Sequence, residues 1–251
     1  MTWIPAFAGM SGDFAKLAIL ETGAPPDGTR EQFGDYPSMF RKLLGEGTHE
    51  YVTFDVAAGH LPRSVTDYPA YLVTGSSAGV YDPLPWIDPL KDFLVAAKGR
   101  AALVGACFGH QVMAEAFGGK VIKSPKGWGL GLHHYDVRGP RDWMDPSRGI
   151  AAAASHQDQV VELPPGAEVI AANAFTPFGM LAYGDQPAIS IQLHPEFDPP
   201  FAQALIAARR GRLLAEAEAD AAIASLEAPN DRLRIGGWTE RFLAEATVKA
   251  D

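Results

Sequence analysis

Cysteine is almost absent: Cys107 is the only one in 251 residues. No internal disulfide can form, so the fold has to rest on its core, and a lone cysteine is ordinarily a small buried hydrophobe. Long apolar runs are missing too, none approaching the about 20 residues that a membrane-spanning helix needs. Basic charge is scarce, with 21 Lys and Arg against 30 Asp and Glu for a formal net charge of −9. This argues against the clustered cations with which a nucleic-acid surface displaces counterions. The chain is therefore expected to bind neither nucleic acid nor membrane and to be cytoplasmic. Residues 1–10 have no Lys or Arg, are interrupted by Pro5 and carry only a short apolar run. They do not read as a signal peptide, and 1–15 is expected to be a non-catalytic extension.

What is present is a globular composition, 47% apolar, enough to fill a substantial core. Short apolar runs at 16–20, 71–74 and 101–105 and an alternating run at 51–56 read as strands. Helical spacing occupies 28–45, 86–97 and 108–117. Strands alternating with helices predict a parallel sheet covered on both faces. After Gly118-Gly119 the texture changes, with strands expected at 120–123, 130–137, 159–161, 168–172, 179–182 and 188–193. Few helices intervene, so part of this half is expected to be antiparallel. An Ala-rich segment, 201–226, reads as a helix packing over the sheet edge, and 239–248 as a short helix. No repeat, linker or composition break divides the chain, so 16–251 is expected to be one domain that ends in a helical segment from about 198.

Gly105-Ala-Cys-Phe-Gly-His-Gln111 lies where a strand has to turn abruptly into a helix. A nucleophile on such a tight elbow is exposed, and small residues two positions before and after it relieve clashes, as Gly105 and Gly109 would here. The helix that follows aims its N-terminal N–H groups at the sulfur and favours the reactive thiolate. A thiolate needs a partner that protonates the leaving amine and later activates water, and histidine does both near neutral pH. Of seven His, His194 follows the apolar run 189–193, at a strand end where α/β enzymes place their chemistry. Glu196 faces the same side two residues on, with Pro195 holding the chain extended, so its carboxylate can orient the imidazole. An α/β-hydrolase would place its acid before the histidine; here the order is Cys, His, Glu.

The segments Gly-Ala-Cys-Phe-Gly-His-Gln and Gln-Leu-His-Pro-Glu-Phe resemble the two signature motifs of class I (triad) glutamine amidotransferase domains. Ser155-His-Gln-Asp-Gln-Val160 resembles a third family segment, in the subgroup like the amidotransferase domain of GMP synthase, which also includes free-standing enzymes resembling γ-glutamyl peptidases. The resemblance runs from about Lys16 to Phe197. It implies a flavodoxin-like α/β fold, and hydrolysis of a γ-glutamyl amide such as glutamine through a thioester on Cys107, with His194 as acid/base and Glu196 orienting it. It also implies an oxyanion hole made by the backbone N–H groups of Phe108 and Gly75. Gln111 and the backbone near His156 and Gln157 would hold the ends of the glutamyl group. No cofactor is implied. A separate synthase subunit taking up ammonia is one expected partner, because the sequence carries no recognisable synthase domain. A stand-alone γ-glutamyl peptidase and a non-catalytic binding protein on the same fold are the alternatives.

Several further features have plainer expectations. The loop 74–79 lacks the Gly-Lys-Ser/Thr ending of a nucleotide loop. His110 is expected to pack against the sheet. His133 and His134, adjacent on a strand, face opposite sides and do not easily ligate one metal ion, so no metal is expected. The stretch 175–183 is expected to form a hairpin near the pocket mouth.

Overall fold

Leu17 and Ile19 of the first strand, β1 (Lys16–Glu21), enter one apolar layer, whereas Ala18 and Leu20 enter another. Successive strand residues point to opposite faces, so a strand apolar on both needs cover on both. The computed structural model, which describes residues 15–248, provides it. The expected extension 1–15 lies outside the described residues but for Ala15. In chain order β1 is followed by α1 (Thr29–Phe33), α2 (Tyr36–Leu44), β2 (Glu50–Asp55), β3 (Ala70–Val73), α3 (Ile87–Ala97), β4 (Ala102–Ala106) and α4 (Phe108–Ala116). The second half contains β5 (Lys120–Lys123), β6 (Gly129–Val137), β7 (Gly149–His156), β8 (Asp158–Glu162), β9 (Ala167–Ala172), β10 (Met180–Tyr183) and β11 (Ala188–Ile191). Three helices close the described chain: α5 (Pro199–Ala207), α6 (Glu216–Ser225) and α7 (Arg232–Val248).

Nine strands form one sheet in the order β2-β1-β3-β4-β11-β10-β9-β6-β7, while β5 and β8 pair separately. The first five are mutually parallel and the remaining four join antiparallel. Leu17, Ile19, Leu72 and Val104 are covered by Phe40 and Leu44 of α2 and by Ile235 and Trp238 of α7. On the other face Ala18, Leu20, Tyr71 and Leu103 are covered by Leu90 and Leu94 of α3 and Val112 and Met113 of α4. The parallel portion has the 2-1-3-4-5 strand order of a flavodoxin-like fold, in which ligands bind beyond the carboxyl ends of the strands.

Four differences from the sequence reading have local causes. The helix expected over 28–45 is two helices, because Gly34 takes φ 91 and Asp35 caps α2, accepting from the Ser38 N–H at 2.8 Å. The helix expected over 201–226 also breaks, at a turn where Gly211 takes φ 68 and donates to the Leu214 carbonyl at 2.9 Å. Strand β7 was not expected. Its core is a run of four alanines, a residue depleted in strands. It forms by pairing along its whole length with β6, while Asp231 clamps its outer edge: the Ala151 N–H donates to the Asp231 carboxylate at 2.9 Å and the Asp231 N–H to the Ala151 carbonyl at 2.6 Å. Helix α7 begins at Arg232 rather than near Thr239 and runs through Gly236-Gly237.

Gly236 lies where α7 meets α2: a Cβ there would come within 2.8 Å of Leu43 Cδ1 and 3.2 Å of its carbonyl oxygen. Gly236→Val should therefore overpack the contact and cost about 1–3 kcal/mol, read as an earlier midpoint in urea. An unchanged midpoint would contradict the close approach.

Candidate active site

Between β4 and α4 the backbone at Cys107 takes φ 51 and ψ −102. It is the only non-glycine residue with positive φ among the described residues. The turn is held from three sides. The Cys107 N–H donates to the Ile191 carbonyl at the end of β11 at 2.8 Å, the Gln111 N–H returns to the Cys107 carbonyl at 3.0 Å, and the Gly109 N–H donates to the Thr74 carbonyl at 3.2 Å. A Cβ on Gly105 would lie 2.5 Å from the Gly109 carbonyl oxygen, and one on Gly109 would run into the Val73 carbonyl. Both flanking positions therefore admit only glycine at this spacing.

The same hydrogen bonds fix the loop beyond β3. The Thr74 carbonyl accepts from the Gly109 N–H and, at 3.0 Å, from the Thr22 hydroxyl at the end of β1. A trans peptide sends its carbonyl and the next N–H in opposite directions, so holding the Thr74 oxygen also fixes the direction of the Gly75 N–H. Neither the Gly75 nor the Phe108 N–H donates to another protein group among the described residues. Gly75 reaches the cysteine: a Cβ built on it would lie 3.7 Å from Cys107 Cβ and 3.3 Å from His194 Cε1. The three expected residues Gly75, Cys107 and His194 thus converge on one point.

His194 leaves β11 and is tied to β7, its N–H donating to the Ala153 carbonyl at 2.9 Å. Its Nδ1 lies 2.7 Å from Glu196 Oε1, and its ring stacks on Phe197, centroids 4.0 Å apart and planes 7° apart. Cys107, His194 and Glu196 are each at most 4% exposed. Burial alone would push the imidazole pKa down. The neighbouring Cys107 and Glu196 charges, together with hydrogen bonds to both side chains, outweigh it and raise the pKa to about 10. Arg232 of α7 secures the segment from behind, its Nε donating to the Pro195 carbonyl at 3.1 Å.

In front of Cys107 is a small cavity lined by Gly75, Ser76, Ser77 and His194, and by Tyr36, Ser155, Phe197, Leu205 and Arg209. Of the last five, Ser155 opens the third family-like segment noted in the sequence, whereas Tyr36, Leu205 and Arg209, and also Thr22, carry no site signal there. Phe197 lies within the motif already noted, but Tyr36, Thr22 and Arg209 come from distant segments and carry no local signal. Gln111, His156 and Gln157 do not line this cavity. The Gln111 amide donates to the Asp158 carbonyl at 2.9 Å and to Gln192 Oε1 at 3.1 Å. His156 is buried with Nδ1 3.2 Å from the Asp158 carbonyl, and burial pushes its pKa down to about 3. The Gln157 carbonyl accepts from the Ser124 N–H at 3.1 Å.

His110 packs against the sheet, with Nδ1 2.8 Å from Ser190 Oγ. Of the adjacent pair on β6, His133 is half-buried and His134 exposed. The stretch 175–183 enters the β9–β10 hairpin, where Phe175 packs edge-on against His133 at 5.4 Å and against His156 at 6.1 Å, and Phe178 joins the apolar layer beneath α4. Neither Phe175 nor Phe178 is among the residues that line the cavity before Cys107.

Against known proteins, the family described as glutamine amidotransferase class-I matches residues 77–208. A glutamine amidotransferase-like protein of Schizosaccharomyces pombe is 27% identical over 245 residues, covering 91% of this chain and 98% of that one. The γ-glutamyl peptidase 4 of Arabidopsis thaliana is 29% identical over 186 residues, covering 70% and 74%. Among solved structures, a glutamine amidotransferase from Thermotoga maritima superposes with TM-score 0.74 at 16% identity over 94% of this chain and 99% of that one. At that identity the likeness concerns the fold.

Because the folded pKa of His194 is raised from its ordinary 6.5 to about 10, its contribution to stability is fully present below pH 6.5. That contribution is lost as pH rises through about 10. Cys107→Ala removes one of the two charges that raise it. The imidazole titration followed by NMR should then move to lower pH, and the alkaline loss of stability should begin earlier. A midpoint unmoved by the substitution would show that the sulfur does not charge the ring.

Proposed function

Given that this chain belongs to the class-I glutamine amidotransferase family, we propose that it hydrolyses a γ-glutamyl amide through a γ-glutamyl thioester on Cys107, releasing ammonia or an amine. The observation that carries this reading is the strained Cys107 elbow beside an imidazole whose Nδ1 is 2.7 Å from a buried carboxylate.

In this reaction the Cys107 thiolate, paired with the His194 imidazolium, attacks the γ-carbonyl carbon. The carbonyl electron pair moves onto oxygen, where the otherwise unused N–H groups of Gly75 and Phe108 receive it. One such donor contributes on the order of 10²–10³ in rate. Collapse of the tetrahedral species breaks the C–N bond, and the departing amine takes its proton from His194. The neutral imidazole then removes a proton from water, whose oxygen attacks the thioester. A second collapse breaks the C–S bond, returns the thiolate and leaves glutamate. Glu196 holds the ring in register through Nδ1 and stabilises its charge in both half-reactions. The stacked Phe197 ring limits its rotation.

The test is glutamate release from glutamine, γ-glutamyl peptides and γ-glutamyl amines by the purified protein. At least one class should be cleaved, Cys107→Ser should reduce the rate by on the order of 10³ or more, and Glu196→Gln by on the order of 10²–10⁴. A folded protein inert toward every member of the panel would contradict the reading, as would activity that survives Cys107→Ser.

A further inference from the structure

The cavity before Cys107 contains a cation that the reaction above does not use. Arg209, just beyond α5, is half-buried. Its Nη1 donates to Ser155 Oγ at 2.8 Å, and its guanidinium carbon lies 5.5 Å from the centre of the Trp128 ring. Those contacts take up one of its five donors and one of its faces. No carboxylate comes within ion-pair reach of it among the described residues, in a chain of net charge −9. Its neighbour Arg210 is exposed, where pairing contributes little, yet has Asp220 at 2.7 Å and Glu216 at 3.5 Å. Withdrawing a guanidinium from water without a counter-ion is costly. The charge on Cys107 offsets part of that cost in the free protein, and an anion arriving with the substrate would offset the rest.

The strand order says which end of the substrate carries that anion. Gly75 lies just beyond β3, Cys107 just beyond β4 and His194 just beyond β11, strands adjacent in that order. Ser155, the anchor of Arg209, lies on β7 two residues past Ala153, which His194 contacts from the far side. Ser155 therefore anchors Arg209 on the β7 side of the imidazole, with Gly75 on the β4 side. The oxyanion is held on the Gly75 side, and the amine that takes its proton from His194 departs on the other. Phe197 and Leu205 give the cavity apolar walls, fit for the side chain of an amino acid.

We propose that Arg209 is a specificity residue that binds the α-carboxylate of the departing amine, so that the preferred substrates are γ-glutamyl amino acids rather than glutamine or γ-glutamyl amines. This rests on the reading of Cys107 as a γ-glutamyl amide hydrolase. The guanidinium fork matches a carboxylate in two-point geometry, and its stack on Trp128 holds it in place before substrate arrives.

A matched pair of substrates tests it: γ-glutamyl-valine and γ-glutamyl-isobutylamide, which has the same leaving amine without the carboxylate. The wild-type protein should favour the first in kcat/KM by on the order of tenfold to a hundredfold, the effect of a charge-assisted hydrogen bond. Arg209→Met, which keeps an apolar stem against Trp128, should bring the ratio close to one. Arg209→Lys should restore part of it, retaining charge but not the fork. A wild-type ratio near one, or a ratio that Arg209→Met leaves intact, would overturn the inference. So would an equal loss on both substrates, which would assign the arginine to the glutamyl end or to the thiolate. Glutamine hydrolysis with neither compound cleaved would overturn this inference alone. Cleavage of nothing, with Cys107 also unreactive toward a γ-glutamyl electrophile, would sink the hydrolase reading itself.

Discussion

Holding a non-glycine residue at φ 51 costs about 1–3 kcal/mol, and the site exists because the sheet holds Cys107 there. The restraint is distributed. The Ile191 carbonyl on β11 takes the cysteine N–H, and the Thr74 carbonyl beyond β3 takes the Gly109 N–H, so the elbow is fastened to the parallel strands on either side of β4. Gly105 and Gly109 make this possible, since a single methyl at either position would collide with backbone. Because the Thr74 oxygen also accepts from Thr22 at the end of β1, three adjacent strands fix the sulfur and the Gly75 N–H in one frame. For the proposed reaction this frame would aim the Gly75 N–H before substrate binds.

Charge is arranged on the same frame. His194 is buried, which by itself would keep it neutral, yet the cysteine and the carboxylate on either side of it raise its pKa. The ring cannot easily turn away, with Phe197 stacked on one face and Glu196 on Nδ1. The second half of the chain supplies the support: β7 takes the His194 N–H, and α7 sends Arg232 to the Pro195 carbonyl. Helix α7 is itself seated on α2 through Gly236 and begins at the Asp231 clamp on β7. The C-terminal helix thus belongs to the structure that positions the histidine.

How far the sequence discloses this depends on the range of the interaction. Strands β1, β3 and β4 are short apolar runs that nothing but a doubly covered sheet can use, and they are legible. Cys107 between two glycines and His194-Pro195-Glu196 are legible because a tight elbow and an extended tripeptide are local geometries with local residue requirements. Strand β7 was hidden because four alanines have no strand preference of their own and are held by β6 and Asp231. Gly236-Gly237 reads as a helix breaker, yet α2 needs the small residue there. Thr22, Tyr36 and Arg209 reach the site only through the fold, from positions 22, 36 and 209 of the chain, so no window of sequence could have joined them to Cys107. Gln111, legible as part of a motif, has its amide taken up by the Asp158 carbonyl and Gln192.

The central claim is that the sulfur held on this elbow becomes covalently joined to the substrate. The most direct measurement is mass spectrometry of the protein quenched in acid during turnover of a γ-glutamyl amide, followed by digestion to locate any added mass. The account predicts a γ-glutamyl group on the peptide containing Cys107, appearing within one turnover and decaying as substrate is exhausted. Continued release of glutamate while that peptide stays unmodified at every quench time would contradict it.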